Sequence, residues 1–279
     1  MIKVDAVKLK NVLTLIEERI QSSRFFNNMI YSEIEEAGRG IEQKLLLELT
    51  KAVEILLTPL KVTRGKFIVL SGIDKSGKET QCFNPRRIPN ITSIQKWLVS
   101  RGFDVLGISL PSYHTLLGSL VAAYLGRKQP AVRIKGEIPS DQAWVLWSLD
   151  RAQHNPQVLD WIEAKLEKVV LSKRWTESNV VYQKAMGVDE KRVLKLERNI
   201  VKQDYTLVID LPAEEALMRI RSKKKLDNYE KKGFLEKVRS NYLNLPSYYP
   251  FGRTFIVNGS QPPDKVNRDI LKILEDLEF

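Results

Sequence analysis

The chain has 279 residues, 43% of them hydrophobic and 28% charged, which is ample for a packed core and excludes wholesale disorder. The 45 basic residues outnumber the 34 acidic ones, and the resulting +11 suits a polyanionic partner: nucleic acid, an acidic membrane surface or phosphorylated small molecules. One cysteine, Cys82, and two histidines, His114 and His154, exclude a disulfide framework and argue against a Cys- or His-based metal centre.

Residues 1–64 carry apolar side chains at helical spacing: Val12, Leu13, Ile16 and Ile20, then Leu45, Leu46, Leu49, Val53 and Leu56. Breaks at Ser22 and Ser23, and at Gly38 and Gly40, divide this segment into two or three helices, the last ended by Pro59. It holds 10 Lys/Arg against 9 Asp/Glu, so the excess charge belongs to the remainder and a basic nucleic-acid-binding arm is not indicated. The amino terminus has no long apolar run, and charges interrupt each apolar stretch before membrane-spanning length. With the low cysteine count this predicts a cytoplasmic protein with no membrane partner.

From residue 65 onward, short β-rich runs alternate with longer helical stretches: KFIVLSG (66–72), DVLGISL (104–110), KVVLSK (168–173), YTLVID (205–210) and TFIVNG (254–259). Each is nearly continuous in apolar character, as buried parallel strands are. The predicted fold is α/β, a parallel sheet of about five strands flanked by helices over residues 65–279, with an α-helical extension over 1–64.

The first run leads into Gly72-Ile73-Asp74-Lys75-Ser76-Gly77-Lys78-Glu79-Thr80-Gln81. The G-x4-G-K spacing after a buried strand and before a helix is the phosphate-loop pattern. Glycines let backbone N–H groups wrap a phosphate, and Lys78 reaches the terminal phosphates of a nucleotide. The residue after the lysine is ordinarily Ser or Thr, whose hydroxyl ligates Mg2+. Here it is Glu79, which either binds the metal itself or repels nucleotide phosphate.

Together with its downstream segments this loop resembles the thymidylate kinases, P-loop nucleoside-monophosphate kinases. The resemblance covers roughly residues 65–279 and is carried by motifs in the family's order. GIDKSGKETQ is similar to the family's G-x-D-x-x-G-K-[ST]-T-Q. LPSYHTLLGSLVAAYL (110–125) is similar to a segment in which Pro111 and Tyr113 occupy acceptor-binding positions, Tyr113 standing where the family has an arginine. WVLWSLDRAQH (144–154) resembles the segment that bears a base-stacking aromatic, Trp147, and a phosphate-binding arginine, Arg151. LSKRWTESNVVYQ (171–183) resembles D-R-Y-x-x-S-x-x-A-Y-Q, with Arg174, Ser178, Tyr182 and Gln183 matching and Lys173 in place of the metal-holding aspartate. Residues 219–245 resemble the lid and the helix after it, including Arg221 and Lys223 to Lys225.

The resemblance implies transfer of the ATP γ-phosphoryl group to dTMP, with Mg2+ as the accompanying ion. It implies Gly72, Asp74, Ser76, Gly77, Lys78, Glu79 and Thr80 as the nucleotide-binding set. Lys78, Lys75, Arg174 and Arg221 fall at the transferring group. Asp74, Pro111, Tyr113, Trp147, Arg151, Arg174, Ser178, Tyr182 and Gln183 fall at the acceptor. A homodimer is also implied. The substitutions Glu79 and Lys173 frame an alternative, a catalytically weakened relative that senses nucleotides or binds a partner. Trp147 and Trp175 lie inside these motifs, without the exposed aromatics interleaved with cations that a nucleic-acid-binding surface requires.

Overall fold

The computed structural model describes residues 1–22, 27–60, 66–127, 130–164, 167–220 and 232–279. The chain opens with β1 (Ile2–Asp5), α1 (Ala6–Ser22), α2 (Asn27–Ala37) and α3 (Gln43–Leu57). It continues through β2 (Lys66–Ser71), α4 (Lys78–Phe83), α5 (Ile94–Ser100) and β3 (Asp104–Ser109). Then come α6 (Leu116–Tyr124), β4 (Val132–Lys135), α7 (Ser140–Ala143), α8 (Val145–Ala152), α9 (Asn155–Ala164) and β5 (Lys168–Lys173). The last part holds α10 (Thr176–Ala185), α11 (Glu190–Leu196), β6 (Tyr205–Asp210), α12 (Ala213–Ile220), α13 (Lys232–Leu243), β7 (Arg253–Asn258) and α14 (Pro263–Asp276).

Contacts divide the chain into two compact units. One comprises Met1–Lys61, Leu110–Pro156 and Met186–Val201; the other comprises Val62–Ser109, Gln157–Ala185 and Lys202–Phe279. The amino-terminal segment therefore shares its unit with two later stretches of chain. The sequence boundary near residue 64 lies in 61–65, outside the described residues.

In the first unit three helices form, of the two or three expected, where the breaks put them. The first stops at Ser22, α2 ends before Gly38, and α3 ends two residues before Pro59. Leu9, Val12, Leu13, Ile16 and Ile20 of α1 are fully buried, as are Leu45, Leu49, Val53 and Leu56 of α3. These are the i, i+3, i+4 positions of amphipathic helices. Their partners lie in the same unit: α1 packs on α2, α7, α8 and α11, and α3 on α6 and α8. The helical reading misses β1, which pairs in parallel with β4 from Ile2↔Val132 to Asp5↔Lys135. The Asp5 carboxylate then accepts from the Val7 N–H (2.9 Å), satisfying a donor at the start of α1.

The second unit is built on a five-stranded sheet of order β3-β5-β2-β6-β7, with every pairing parallel. The five strands are those the apolar runs predict. Central β2, β5 and β6 are buried almost throughout, while edge strands β3 and β7 keep exposed positions. On one face Ile68, Leu70, Val169, Leu171 and Leu207 pack into a core with Trp97 and Leu98 of α5 and Ile270 and Leu274 of α14. Phe67 meets Trp175 edge-on at 5.2 Å. Along α13 the core face is Leu235, Val238 and Tyr242, and Leu243, off that stripe, is 41% exposed.

Residues 111–118 of the first unit are held by a buried polar network. The Ser112 N–H donates to Asp150 (3.0 Å), the Ser112 hydroxyl and His154 Nε2 share a bond of 2.6 Å, and Gln153 donates to Asp150 (2.7 Å). Gly118 lets α6 approach this segment, since a Cβ there would lie 2.0 Å from the Ser112 carbonyl oxygen. The oxygen is backbone and cannot rotate away, so Gly118→Ala is expected to cost about 1–3 kcal/mol through overpacking. Calorimetry should record a Tm lower by several degrees, on the order of 3–8 °C.

Burial, and then His114, push His154 down to about 4 from its ordinary 6.5. The folded chain keeps this imidazole neutral where the unfolded chain protonates it. Its contribution is therefore full above pH 6.5 and is lost as pH falls towards 4. Burial raises Asp150 to about 6, which acts in the opposite sense: its carboxylate costs stability progressively as pH rises towards 6. In urea unfolding, the stability difference between wild type and His154→Gln should shrink by about 3 kcal/mol from pH 7 to pH 4. A difference independent of pH would contradict the assignment.

Candidate functional site

The phosphate loop follows the central strand of the sheet. Gly72 and Gly77 take φ of 133° and 98°, backbone that side-chain-bearing residues rarely adopt. At Gly72 a Cβ would also meet the Ile209 carbonyl oxygen at 2.5 Å, so the turn requires glycine twice over. Lys78 is buried, with its ammonium donating to the carbonyls of Gly72 (3.0 Å) and Ile73 (2.5 Å) and to the Ser76 hydroxyl (3.3 Å). Burial, then the nearby Arg174 and also Lys173, hold its pKa well below the ordinary lysine value, with Asp74 opposing them. Thr80 is half-buried on α4, and Lys75 is exposed at φ 64°.

The register of β2 and β5 sets Leu70 beside Lys173, so β5 ends next to the loop. The Arg174 N–H donates to the Leu70 carbonyl (3.1 Å) with φ at 69°. Its guanidinium donates to Asp74 Oδ1 (2.5 Å), the Tyr182 hydroxyl (2.9 Å) and the Ser178 hydroxyl (3.0 Å), and lies 4.7 Å from the centre of the Tyr182 ring. Three residues singled out from two separate motifs thus converge on the guanidinium of a fourth. Ser178 also bonds the Tyr242 hydroxyl (2.8 Å), while Gln183 is buried and donates to Asn179 (3.3 Å).

Glu79, the departure from the phosphate-loop pattern, and Lys173, which stands in place of the metal-holding aspartate of the 171–183 motif, form an ion pair. Magnesium does not fit these donors. In P-loop proteins a Ser/Thr hydroxyl and a strand-end aspartate hold that ion, which demands near-octahedral oxygen ligation. An ammonium replaces the aspartate, and the carboxylate that replaces the hydroxyl is engaged by that ammonium. Among the described residues no group of three or more His, Cys, Asp or Glu is placed to hold a metal.

The lid is represented by Arg219, at the end of α12, which donates to the Lys75 carbonyl (3.0 Å) and weakly to that of Gly259 (3.4 Å). Arg221 and Lys223 to Lys225 lie outside the described residues. Arg219 was legible only as one charge in a basic run; nothing local singled it out.

In the first unit, Leu110 and Pro111 are joined by a cis peptide bond. Tyr113 is half-buried, and the Arg127 guanidinium lies over its ring at 4.3 Å from the centroid. Arg127 therefore brings a guanidinium to the residue that replaces the family's arginine; its place just after α6, in GRKQP, gave no sign of this. Trp147 is half-buried and meets Tyr124 edge-on at 5.6 Å, while Trp144, one turn earlier, fills the core. Arg151 is buried, not a solvated helix charge. It donates to the Trp147 carbonyl (2.6 Å) and to Glu197 (3.3 Å), which also accepts from Ser148 (2.8 Å).

The family model described as "Thymidylate kinase" matches residues 70–270. A protein of Thermococcus kodakarensis named "Probable thymidylate kinase" is 33% identical over 216 residues, covering 76% of this chain and 98% of that protein. A "Thymidylate kinase" of Thermoanaerobacter is 30% identical over 76% of this chain and 98% of its own length. Among solved structures, thymidylate kinase from Candida albicans is similar in fold, with a TM-score of 0.55 at 22% identity over 78% of this chain and 94% of that one. The chain belongs to the thymidylate kinase family.

Proposed function

We propose that this protein is a nucleoside-monophosphate kinase that transfers the γ-phosphoryl group of ATP to dTMP, giving dTDP and ADP. The reading rests on one observation, the glycine-turned loop after the central strand with Lys78 fixed on it and Arg174 delivered beside it. That loop lies in a chain whose near-full-length relatives carry the thymidylate kinase name. The same relatives favour an active enzyme over a nucleotide-sensing alternative.

A phosphate oxygen of the acceptor attacks the γ-phosphorus as the bond to the β,γ-bridging oxygen breaks, and ADP leaves. Such a reaction asks the protein for alignment and for neutralised charge. On the donor side we assign the loop amides, Ser76, Thr80 and Lys78. At the transferring group we assign Lys75 and Arg174 with the lid cations, Arg219 and Arg221. On the acceptor side Trp147 offers a face for the base, and Arg151, Arg174, Asp74, Ser178, Tyr182, Gln183 and Pro111 follow the family pattern. We add Arg127, held over Tyr113 by a cation–π contact, as a cation for the acceptor phosphate. Action as a homodimer in the cytoplasm completes the reading. No helix of the described residues is long and apolar enough to cross a membrane.

Purified full-length protein should release ADP from ATP only when dTMP is present. Lys78→Ala should lower kcat/KM by about 100-fold or more, the scale of losing one preorganised cationic donor. An unaltered rate in a variant with wild-type circular dichroism would exclude the loop as the donor site. Arg127→Ala should raise KM for dTMP about tenfold, a loss typical of one charge-assisted hydrogen bond, with KM for ATP unchanged. Equal effects on both substrates would remove Arg127 from the acceptor side.

A further inference from the structure

The Lys173–Glu79 pair is placed by two elements that also build the loop. Lys173 is the last residue of β5, in register with Leu70, and Glu79 stands in the first turn of α4 directly after Lys78. The Lys173 side chain is 21% exposed and that of Glu79 46%, so the pair borders solvent instead of being sealed in the core. Lys173 is near enough to Lys78 to oppose its charge. The two positions are those from which P-loop proteins hold a divalent ion. Here one supplies a positive charge of its own and the other holds it in place.

We propose that Lys173, positioned by Glu79, supplies the positive charge that a protein-held divalent cation supplies in other P-loop proteins, so that this chain binds ATP without a metal ligated by protein side chains. The inference rests on the reading of the loop as an ATP site. An ammonium carries three N–H donors, and Glu79 engages one. Phosphate oxygens are acceptors for the others. A divalent ion lodged between the same two residues would face the ammonium at close range and would have to displace it from Glu79. The arrangement therefore disfavours the ion and favours a nucleotide anion. Glu79 acts as a positioning residue, fixing a flexible four-carbon side chain that would otherwise lose rotamer freedom on binding.

The test is calorimetric titration of the full-length chain with ATP, once in EDTA and once in excess MgCl2. The wild-type Kd should differ less than about fivefold between the two conditions, and Lys173→Gln should weaken binding in EDTA by about fivefold or more. The double variant Lys173→Asp, Glu79→Thr restores the oxygen donors and should bind ATP at least about fivefold tighter with Mg2+ than in EDTA. A wild-type protein whose affinity rises more than fivefold with Mg2+, or a Lys173→Gln protein of unchanged affinity, overturns the proposal while leaving the ATP site intact. Absence of ATP binding in both conditions overturns the ATP reading itself, and this inference with it. The wild-type comparison needs no substitution, so it stands even where a variant folds poorly.

Discussion

The parallel pairing of β2 with β5 is the constraint on which the chemistry of the second unit depends. Both strands are buried, and their apolar side chains fix the register through the core. A slip of one residue would turn every side chain of a strand to the opposite face. Because the register holds, Lys173 and Arg174 emerge beside the loop that leaves β2, and the Arg174 amide closes on the Leu70 carbonyl. The strained φ of Arg174 is the local cost of turning its guanidinium towards Asp74, Ser178 and Tyr182. Core packing thus sets the position of the charges, and the charges then set one another's behaviour.

In the first unit a different device does the organising. Its amino-terminal helices are amphipathic and would expose long apolar faces alone, but β1 hydrogen-bonds to β4 and the helices pack on α6, α8 and α11. The Glu17–Arg192 pair and the bond from Asn199 to the Leu56 carbonyl (2.8 Å) join residues far apart in sequence. A segment without a counterpart in the family motifs is thereby built into the same core as residues 144–152, which carry Trp147 and Arg151. Apolar faces that needed a partner find it within the chain.

Legibility followed the range of the interaction. The five strands were readable because burial on both faces leaves a continuous apolar run, and the loop because its glycines and lysine sit within ten residues. The pairing of β1 with β4 was not readable: four-residue strands have no period to detect, and their partner lies about 130 residues away. Arg151 was visible as a cation but not as a buried one, because its partner Glu197 comes from a remote helix end. Arg127 and Arg219 were hidden for the same reason, since each owes its position to a ring or a carbonyl that the local sequence does not supply.

Charge bookkeeping links the two substitutions at the loop. Replacing only the strand-end aspartate by lysine would set an ammonium beside Lys78 and Arg174 with Asp74, already bonded to Arg174, as the nearby carboxylate. Replacing only the loop hydroxyl by glutamate would aim an anion at the nucleotide phosphates. Made together, the two new charges cancel within the pair, and relative to the aspartate and hydroxyl they replace the site gains one positive charge. The pair is partly solvated, so its net attraction is modest and screened. That modesty suits a binding site: a lysine clamped by a buried carboxylate could not turn to a phosphate, whereas one held at a half-exposed carboxylate can exchange part of that contact for a stronger anion without an uncompensated charge at any stage.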